Sequence, residues 1–392
     1  MKSKCQYLFL YLVFTIGVSI ACRLVPAEKG EDEQTVAEEA SLVFPPTSTQ
    51  TILATFTDTA LTVPGDVTIP IPPNKGTRSD GAYLLFSPSG DASAQNPAFS
   101  PDSKAILFTM FQEGYNQGPA GLYILPLANR PLNPSGQPAG FNSTPGLVTL
   151  LFEAEYDSVN LPGFNWNAKT NRITFASDRQ DIDEIWIIAP EGSDLLRVTH
   201  HKNKVYFTEP SFSPSGDWIV FEVDNDVPDS QQQGSIWKVR TDGSAFTQLT
   251  GGLAGISDDR QPNWSPDGDV ILFQRRIPLG DDWDISTITP DGSNLKNINP
   301  NPESADTDAS WSPNGKCIVY STDNGELPVP NIFVIPMNGG KPIRVTSSDT
   351  YEDGAPSWSP DGLWIAFESH LGPDEDTPAA IWLITVTNDL CK

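Results

Sequence analysis

The chain has 392 residues, with 50 Asp plus Glu against 24 Lys plus Arg and a formal net charge of −26. A duplex binder needs a basic face to displace counterions, so nucleic acid is excluded as a partner, and an anionic membrane surface attracts this chain little. With 30 Gly, 36 Pro and 38% hydrophobic residues the composition predicts an acidic, turn-rich β protein, and three His and four Cys leave few candidates for a metal centre or thiol enzyme.

Lys2 and Lys4 precede an apolar run from Tyr7 to Ala21 that is short for a membrane span and ends in small residues, so residues 1–21 are expected to be a secretory signal. The run closes in Val18-Ser19-Ile20-Ala21-Cys22, which resembles the bacterial lipobox, although Ser19 stands where that motif prefers Leu. The resemblance implies a lipid on Cys22; cleavage near Ala21 with an unmodified thiol is the alternative. Residues 22–80 carry no helical or alternating period. Their acidic patch Glu28 to Glu39 and Thr/Pro-rich stretch Pro45 to Pro73 predict a solvated tether.

The rest of the chain repeats one unit six times. An aromatic residue leads into a turn at Phe99-Ser100-Pro101-Asp102, Trp166-Asn167, Phe212-Ser213-Pro214-Ser215-Gly216, Trp264-Ser265-Pro266-Asp267-Gly268, Trp311-Ser312-Pro313-Asn314-Gly315 and Trp358-Ser359-Pro360-Asp361-Gly362. From Trp166 onward the aromatics lie about 46–52 residues apart, and the longer first gap holds an insertion, Ala128 to Pro145, expected to be a surface loop. Pro presets φ and Asp-Gly tolerates positive φ, so each copy closes a hairpin and its Asp is expected to be structural. An alternating strand follows (Ile106-Leu107-Phe108, Ile219-Val220-Phe221, Ile271-Leu272-Phe273 and their equivalents). A third strand comes next (Ile185-Trp186-Ile187-Ile188, Ile332-Phe333-Val334-Ile335), then a second hairpin turn and a short fourth strand ending in Thr199, Thr250 or Thr346.

Four strands at this period make one propeller blade, since a lone sheet cannot cover both its faces. The sixth copy lacks its outer strand, and Tyr83 to Phe86 is expected to supply it and close the ring. The fold expected is therefore all-β: a six-bladed β-propeller over residues 81–392.

The ordered set Pro-x-Trp-Ser-Pro-Asp-Gly, Ile-x-Phe, Ile-Trp-x-Ile, Asp-Gly-Ser and Leu-Thr resembles the TolB-like six-bladed β-propeller family, with its WD40-like or PD40 repeat, over about residues 82 to 387. Full TolB proteins add an N-terminal α/β domain, whose place here holds only the signal and tether, so their particular role is not carried over. The resemblance implies a periplasmic or surface binding scaffold and does not name the partner; a monomeric head that meets an envelope protein or peptide is expected. The membrane would be met through the lipid anchor alone. A carbohydrate-binding or lyase-like propeller is the alternative.

Several acids precede the inner-strand aromatics: Glu209, Asp258, Asp259, Asp306, Asp308, Glu352 and Asp353. Pointing inward they would form a negative ring at the channel mouth, suited to a cation, a basic peptide or a polar sugar; pointing elsewhere, each would cap a turn. Asp178, Asp181 and Asp183 are weak calcium candidates, with Asp281, Asp282 and Asp284 in a similar loop, but neither cluster has the glycine and terminal glutamate of a helix-loop-helix calcium site. No cofactor is expected.

No Gly-x-Ser-x-Gly elbow occurs, and His200, His201 and His370 give no metal pair on one helix face. A binder rather than an enzyme is therefore expected. Cys317 and Cys391 either pair, as export permits, or leave a buried free Cys317. The repeated Trp and Phe residues are expected to pack between blades.

Overall fold

The computed structural model describes residues 77–127, 147–152, 165–179, 182–202, 205–225, 234–251, 257–276, 282–300, 303–372, 377–386 and 390–391. All belong to one unit of the chain, Gly65–Lys392. The expected signal with Cys22, most of the tether, the insertion Ala128 to Pro145, Asp181 and Asp281 lie outside the described residues.

The described residues form strands and turns, with no helix among them. After β1 (Tyr83–Phe86) the first blade is β2 (Ser93–Phe99), β3 (Ala105–Phe111), β4 (Ala120–Pro126) and β5 (Val148–Phe152), and the second is β6 (Asn165–Asn167), β7 (Arg172–Ser177), β8 (Glu184–Ile188) and β9 (Leu196–Arg197). Blade three is β10 (Val205–Phe212), β11 (Trp218–Asn225), β12 (Ser235–Arg240) and β13 (Thr247–Gln248); blade four is β14 (Asp258–Trp264), β15 (Ile271–Arg276), β16 (Trp283–Ile288) and β17 (Lys296–Asn297). Blade five is β18 (Asp306–Trp311), β19 (Cys317–Thr322), β20 (Asn331–Pro336) and β21 (Ile343–Arg344), and blade six adds β22 (Tyr351–Trp358), β23 (Trp364–Leu371) and β24 (Ala380–Thr385). Each blade is a four-stranded antiparallel sheet in chain order, except that β1 supplies the outer strand of blade six, in the order β1-β24-β23-β22. Tyr83 pairs with Leu383 and Leu84 with Trp382.

The repeated residues each satisfy a local need. The serine of each Ser-Pro turn accepts the backbone N–H of the residue five positions on: Ser100 from Ala105, Ser265 from Val270, Ser312 from Cys317 and Ser359 from Trp364, at 2.9–3.0 Å. The same hydroxyls donate to Asp102, Asp267 and Asp361 at 2.6–2.7 Å, so these aspartates are turn-forming residues. The threonines that end the fourth strands, Thr199, Thr250 and Thr346, accept the N–H of Ile185, Ile236 and Ile332 at 2.9 Å, which pins each outer strand to the start of the third.

The second strands are buried on both faces rather than alternating, with Ile106, Leu107 and Phe108, and likewise Ile271, Leu272 and Phe273, wholly removed from solvent. A blade between two others has two covered faces, so its central strand reads as a continuous apolar run. The hydrophobic clusters follow the blade boundaries. Leu107 with Phe175 joins blades one and two, Ile185 with Phe221 two and three, Val220 with Phe273 three and four, Leu272 with Tyr320 four and five, and Val319 with Phe367 five and six. Phe86, Trp364 and Phe108 complete the circle between blades six and one. At about 1.5–3 kcal/mol for each large apolar side chain buried, these interfaces are the main stabilising term.

Closure has a polar reinforcement just ahead of β1. The Arg78 guanidinium donates to both Asp353 carboxylate oxygens at 2.7 Å and to Asp80 at 2.7 Å, and lies 5.4 Å from the Trp382 ring centre. Asp80 in turn accepts the Ser347 N–H at 2.9 Å.

A chain beginning at Ser87 loses Leu85 and Phe86 from the closing core and exposes the β24 edge; its melting temperature is expected to fall by more than about 10 °C, and an unchanged value would remove β1 from the closure. Arg78→Ala leaves Asp353 buried without its cation and is expected to cost about 3–5 kcal/mol in chemical denaturation.

Candidate functional site

The innermost strands share a defect that the spacing of the repeat conceals. Their ladders slip between Gln95 and Ala98, Thr208 and Ser211, Arg260 and Asn263, Thr307 and Ser310, and Gly354 and Ser357. The first residue inside each slip lies in the left-handed region: Asn96 at φ 52°, Glu209 at 53°, Gln261 at 52°, Asp308 at 54° and Ala355 at 44°. Such a bulge bends the strand and re-aims one side chain. In four of the five the next residue is Pro, which brings no N–H of its own into the broken ladder. The five bulged residues line a central cavity of about 430 Å³, whose wall also includes Trp166, Trp264, Trp311 and Trp358. The aromatics thus pack between blades, as expected from their repetition, and also border the channel.

Each bulge takes a backbone N–H out of the ladder, and at four of the five a side chain of the neighbouring blade accepts it. Glu368 Oε2 accepts the Asn96 N–H at 2.7 Å, Glu222 Oε2 that of Gln261 at 3.3 Å, and Gln274 Oε1 that of Asp308 at 3.2 Å. Asp308 Oδ2 serves Ala355 at 3.3 Å. Glu222, Gln274 and Glu368 each directly follow the aromatic residue of a second strand. Their signal in the sequence is a long polar side chain at the end of an otherwise apolar Ile-x-Phe run.

Burial shifts the acids gathered here toward their protonated forms. Burial, then the charges of Glu222 and Asp308, push the Glu209 carboxyl well above the usual range. Burial raises Glu222 to about 8, with Arg260 working against it. Burial raises Glu368 to about 7, against the hydrogen bond donated by the Tyr115 hydroxyl at 2.6 Å. Asp308 is likewise raised by burial. Arg260 lies 3.8 Å from Glu222 but is shared with Asp258 at 3.0 Å and Asp224 at 3.7 Å.

The expected ring of seven acids is therefore corrected. Of the seven, Glu209 and Asp308 line the cavity. Asp258 is buried, accepting the Gly234 N–H at 2.7 Å and pairing with Arg276 at 2.8 Å. Asp259 is clamped by Arg275 at 2.6 and 2.9 Å, and Asp353 by Arg78. Asp306, raised by burial to about 6, accepts from Asn299 at 2.6 Å and Ser304 at 3.2 Å. Glu352 sits 3.6 Å from His370. Residues two apart share a face in a regular strand, and the left-handed bulge separates Asp308 from Asp306 by breaking that alternation.

The other candidates lie away from this cavity's lining. Asp178 is half-buried and Asp183 buried, and among the described residues no three His, Cys, Asp or Glu side chains converge to hold a metal ion. Glu184 accepts from Arg197 at 2.5 Å, from the Thr199 hydroxyl and from the His201 N–H at 2.8 Å, while the His201 ring stacks on Phe207. Cys317 and Cys391 form a disulfide that ties the residues after β24 to the second strand of blade five.

The raised carboxyls set a pH dependence. Their folded values lie above an unfolded Glu near 4.3, so the native state binds more protons across that interval and stability falls as pH rises from about 5 through 8. Glu222→Gln keeps the acceptor for Gln261 without the charge, and is expected to flatten the fall in melting temperature between pH 5.5 and 8.5.

Among known proteins, an uncharacterized protein of Agrobacterium fabrum is 31% identical over 116 residues, 29% of this chain and 36% of its own length. The chain spans about a third of the length of the curated relatives it matches. Oligogalacturonate lyase from Vibrio parahaemolyticus superposes with a TM-score of 0.52 at 14% identity, over 79% of this chain and 94% of that one, a likeness of fold. TolB from Acinetobacter baumannii gives a TM-score of 0.48 at 15% identity over 76% and 65%. The family model described as PD40, TolB beta propeller domain, matches residues 156–329, and the chain carries a TolB-like six-bladed β-propeller.

Proposed function

We propose that this protein is an exported binding propeller of the cell envelope, held to the membrane by a lipid on Cys22, and that it receives a segment of an envelope protein or peptide in its central channel. The observation that carries this reading is the cavity itself. It is about 430 Å³, walled by Trp166, Trp264, Trp311 and Trp358 and bordered by Glu209 and Asp308. That volume suits a few side chains of an extended segment rather than a folded domain, and rigid aromatic walls are efficient binding surfaces. The lipobox-like run before Cys22 supports export and anchoring.

The acids behind the channel wall favour binding over catalysis, since Glu222 and Glu368 are engaged in holding bulge amides. The tryptophan wall also favours a second reading, a carbohydrate ligand, because aromatic faces stack on sugars. Oligosaccharides, neutral and acidic, belong in the same binding series, and absorbance from an unsaturated product would turn the channel into a lyase site.

Cross-linking in intact cells, followed by purification from detergent, is expected to enrich one envelope protein. Asn96→Trp, which fills the cavity from a left-handed bulge position and is used only with a melting temperature within about 5 °C of the unmodified protein, is expected to reduce that enrichment at least about tenfold; equal capture would move the docking face away from the channel. Mass measurement of the mature N-terminus is expected to show a lipidated Cys22, and Cys22→Ser to release the protein from the membrane fraction.

A further inference from the structure

Glu209 is the least satisfied acid of the channel. It is only 8% exposed, its backbone is left-handed, and its Oε2 meets no hydrogen-bond partner among the described residues. A buried carboxylate oxygen without a donor is costly, and here it borders an open cavity. Asp308, from blade five, borders the same cavity. Its Oδ2 accepts the Ala355 N–H at 3.3 Å and the Thr307 hydroxyl at 3.5 Å, both long contacts. Glu222 lies beside Glu209, and the arginine that bears on that pair, Arg260, is also shared with Asp258 and Asp224. The site is thus short of positive charge and of donors at one defined place.

We infer that the channel binds a single organic cation, a guanidinium or primary ammonium group on an alkyl stem, with Glu209 as its principal acceptor and Asp308 and Glu222 beside it. The inference rests on the channel being the binding site and specifies which group of the ligand enters it. Calcium needs six to eight oxygen ligands, and among the described residues no three His, Cys, Asp or Glu side chains, these carboxylates included, converge closely enough to hold a metal ion. A guanidinium needs fewer carboxylates, offers several N–H donors in one plane, and is attracted to the faces of tryptophans such as those of the wall. The prolines that follow the bulges, Pro97, Pro262 and Pro356, give the cavity an apolar lining for the stem. Burial shifts both Glu209 and Glu222 toward their protonated forms, so a cation that seats beside them favours loss of a proton to solvent. The charged groups that bear on this exchange are Glu222 and Asp224 from β11, Asp258 and Arg260 from β14, Asp308 from β18 and Glu368 from β23.

The test is isothermal titration of the folded protein with Nα-acetyl-arginine methylamide and with its uncharged isostere, the citrulline derivative, in two buffers of different ionisation enthalpy. The arginine probe is expected to bind at least about tenfold more tightly than the citrulline probe and to release a proton. Glu209→Gln and Asp308→Asn, with melting temperatures at or above that of the unmodified protein, are expected to weaken it about tenfold each. Equal binding of the two probes, binding of neither, an undiminished affinity in Glu209→Gln, or displacement of the arginine probe by calcium would each overturn the inference. Capture of the envelope partner separates this inference from the reading beneath it. Capture lost in Asn96→Trp but intact in Glu209→Gln keeps the channel and removes the cation, whereas an arginine probe that needs Glu209 while capture ignores Asn96→Trp keeps the cation and removes the channel as the docking face.

Discussion

No blade of this protein can stand alone, because each presents two apolar faces to its neighbours. A sheet whose central strand is Ile271-Leu272-Phe273 has no solvent side, and only a closed circle gives every such sheet two partners. The circle in turn requires that the outer strand of blade six come from the other end of the domain. Local pairing, blade packing and closure are therefore one cooperative condition, and a fault at the seam is felt by blades far from it.

The channel is a by-product of the same condition. Six innermost strands brought together around an axis must bend, and five of them do so by a left-handed bulge at a repeated place. Bending frees backbone amides where little water reaches them, and Glu222, Gln274 and Glu368 accept them. The concentration of acid in the channel thus has a structural origin first. Where the bulge position itself carries an acid, the two cases differ: Asp308 borders the cavity and still accepts the Ala355 amide, whereas Glu209 Oε2 is left over from this accounting. The division explains why two neighbouring kinds of carboxylate, a few residues apart in sequence, differ in what they can meet.

Much of the fold is legible in the sequence because the repeat states its needs six times. The Ser-Pro-Asp-Gly turns, the apolar second strands and the missing outer strand of blade six each have a local cause that residue type reveals. The channel was harder to read. Asp259, Asp306 and Asp353 stand at equivalent positions and look like a ring, yet their partners Arg275, Asn299 and Arg78 come from other strands or from outside the repeat. Counting by twos along β18 places Asp306 and Asp308 on one face, and only the backbone at Asp308 tells otherwise. The Pro after Asn96, Glu209, Gln261 and Ala355 is the one trace of the bulge that the chain carries in letters. The acceptors Glu222 and Glu368 could have been found as charged residues inside apolar runs, a pattern that asks for a partner.

The two latches of the seam differ in where they would feel a load. Arg78 precedes β1, so tension arriving from the N-terminal side reaches the Arg78–Asp353 fork before it reaches the first strand. The fork joins that segment to the innermost strand of blade six, at the inner side of the sheet, whereas β1 runs along its outer edge. Cys391, beyond β24, is bonded instead to Cys317 in blade five. A pull on one terminus and a pull on the other are thus carried into different blades, and neither has to peel β1 from β24 first. An outer strand that hydrogen-bonds on one edge would otherwise be the mechanical weak point of the ring; here both of its approaches are anchored by contacts that bypass it.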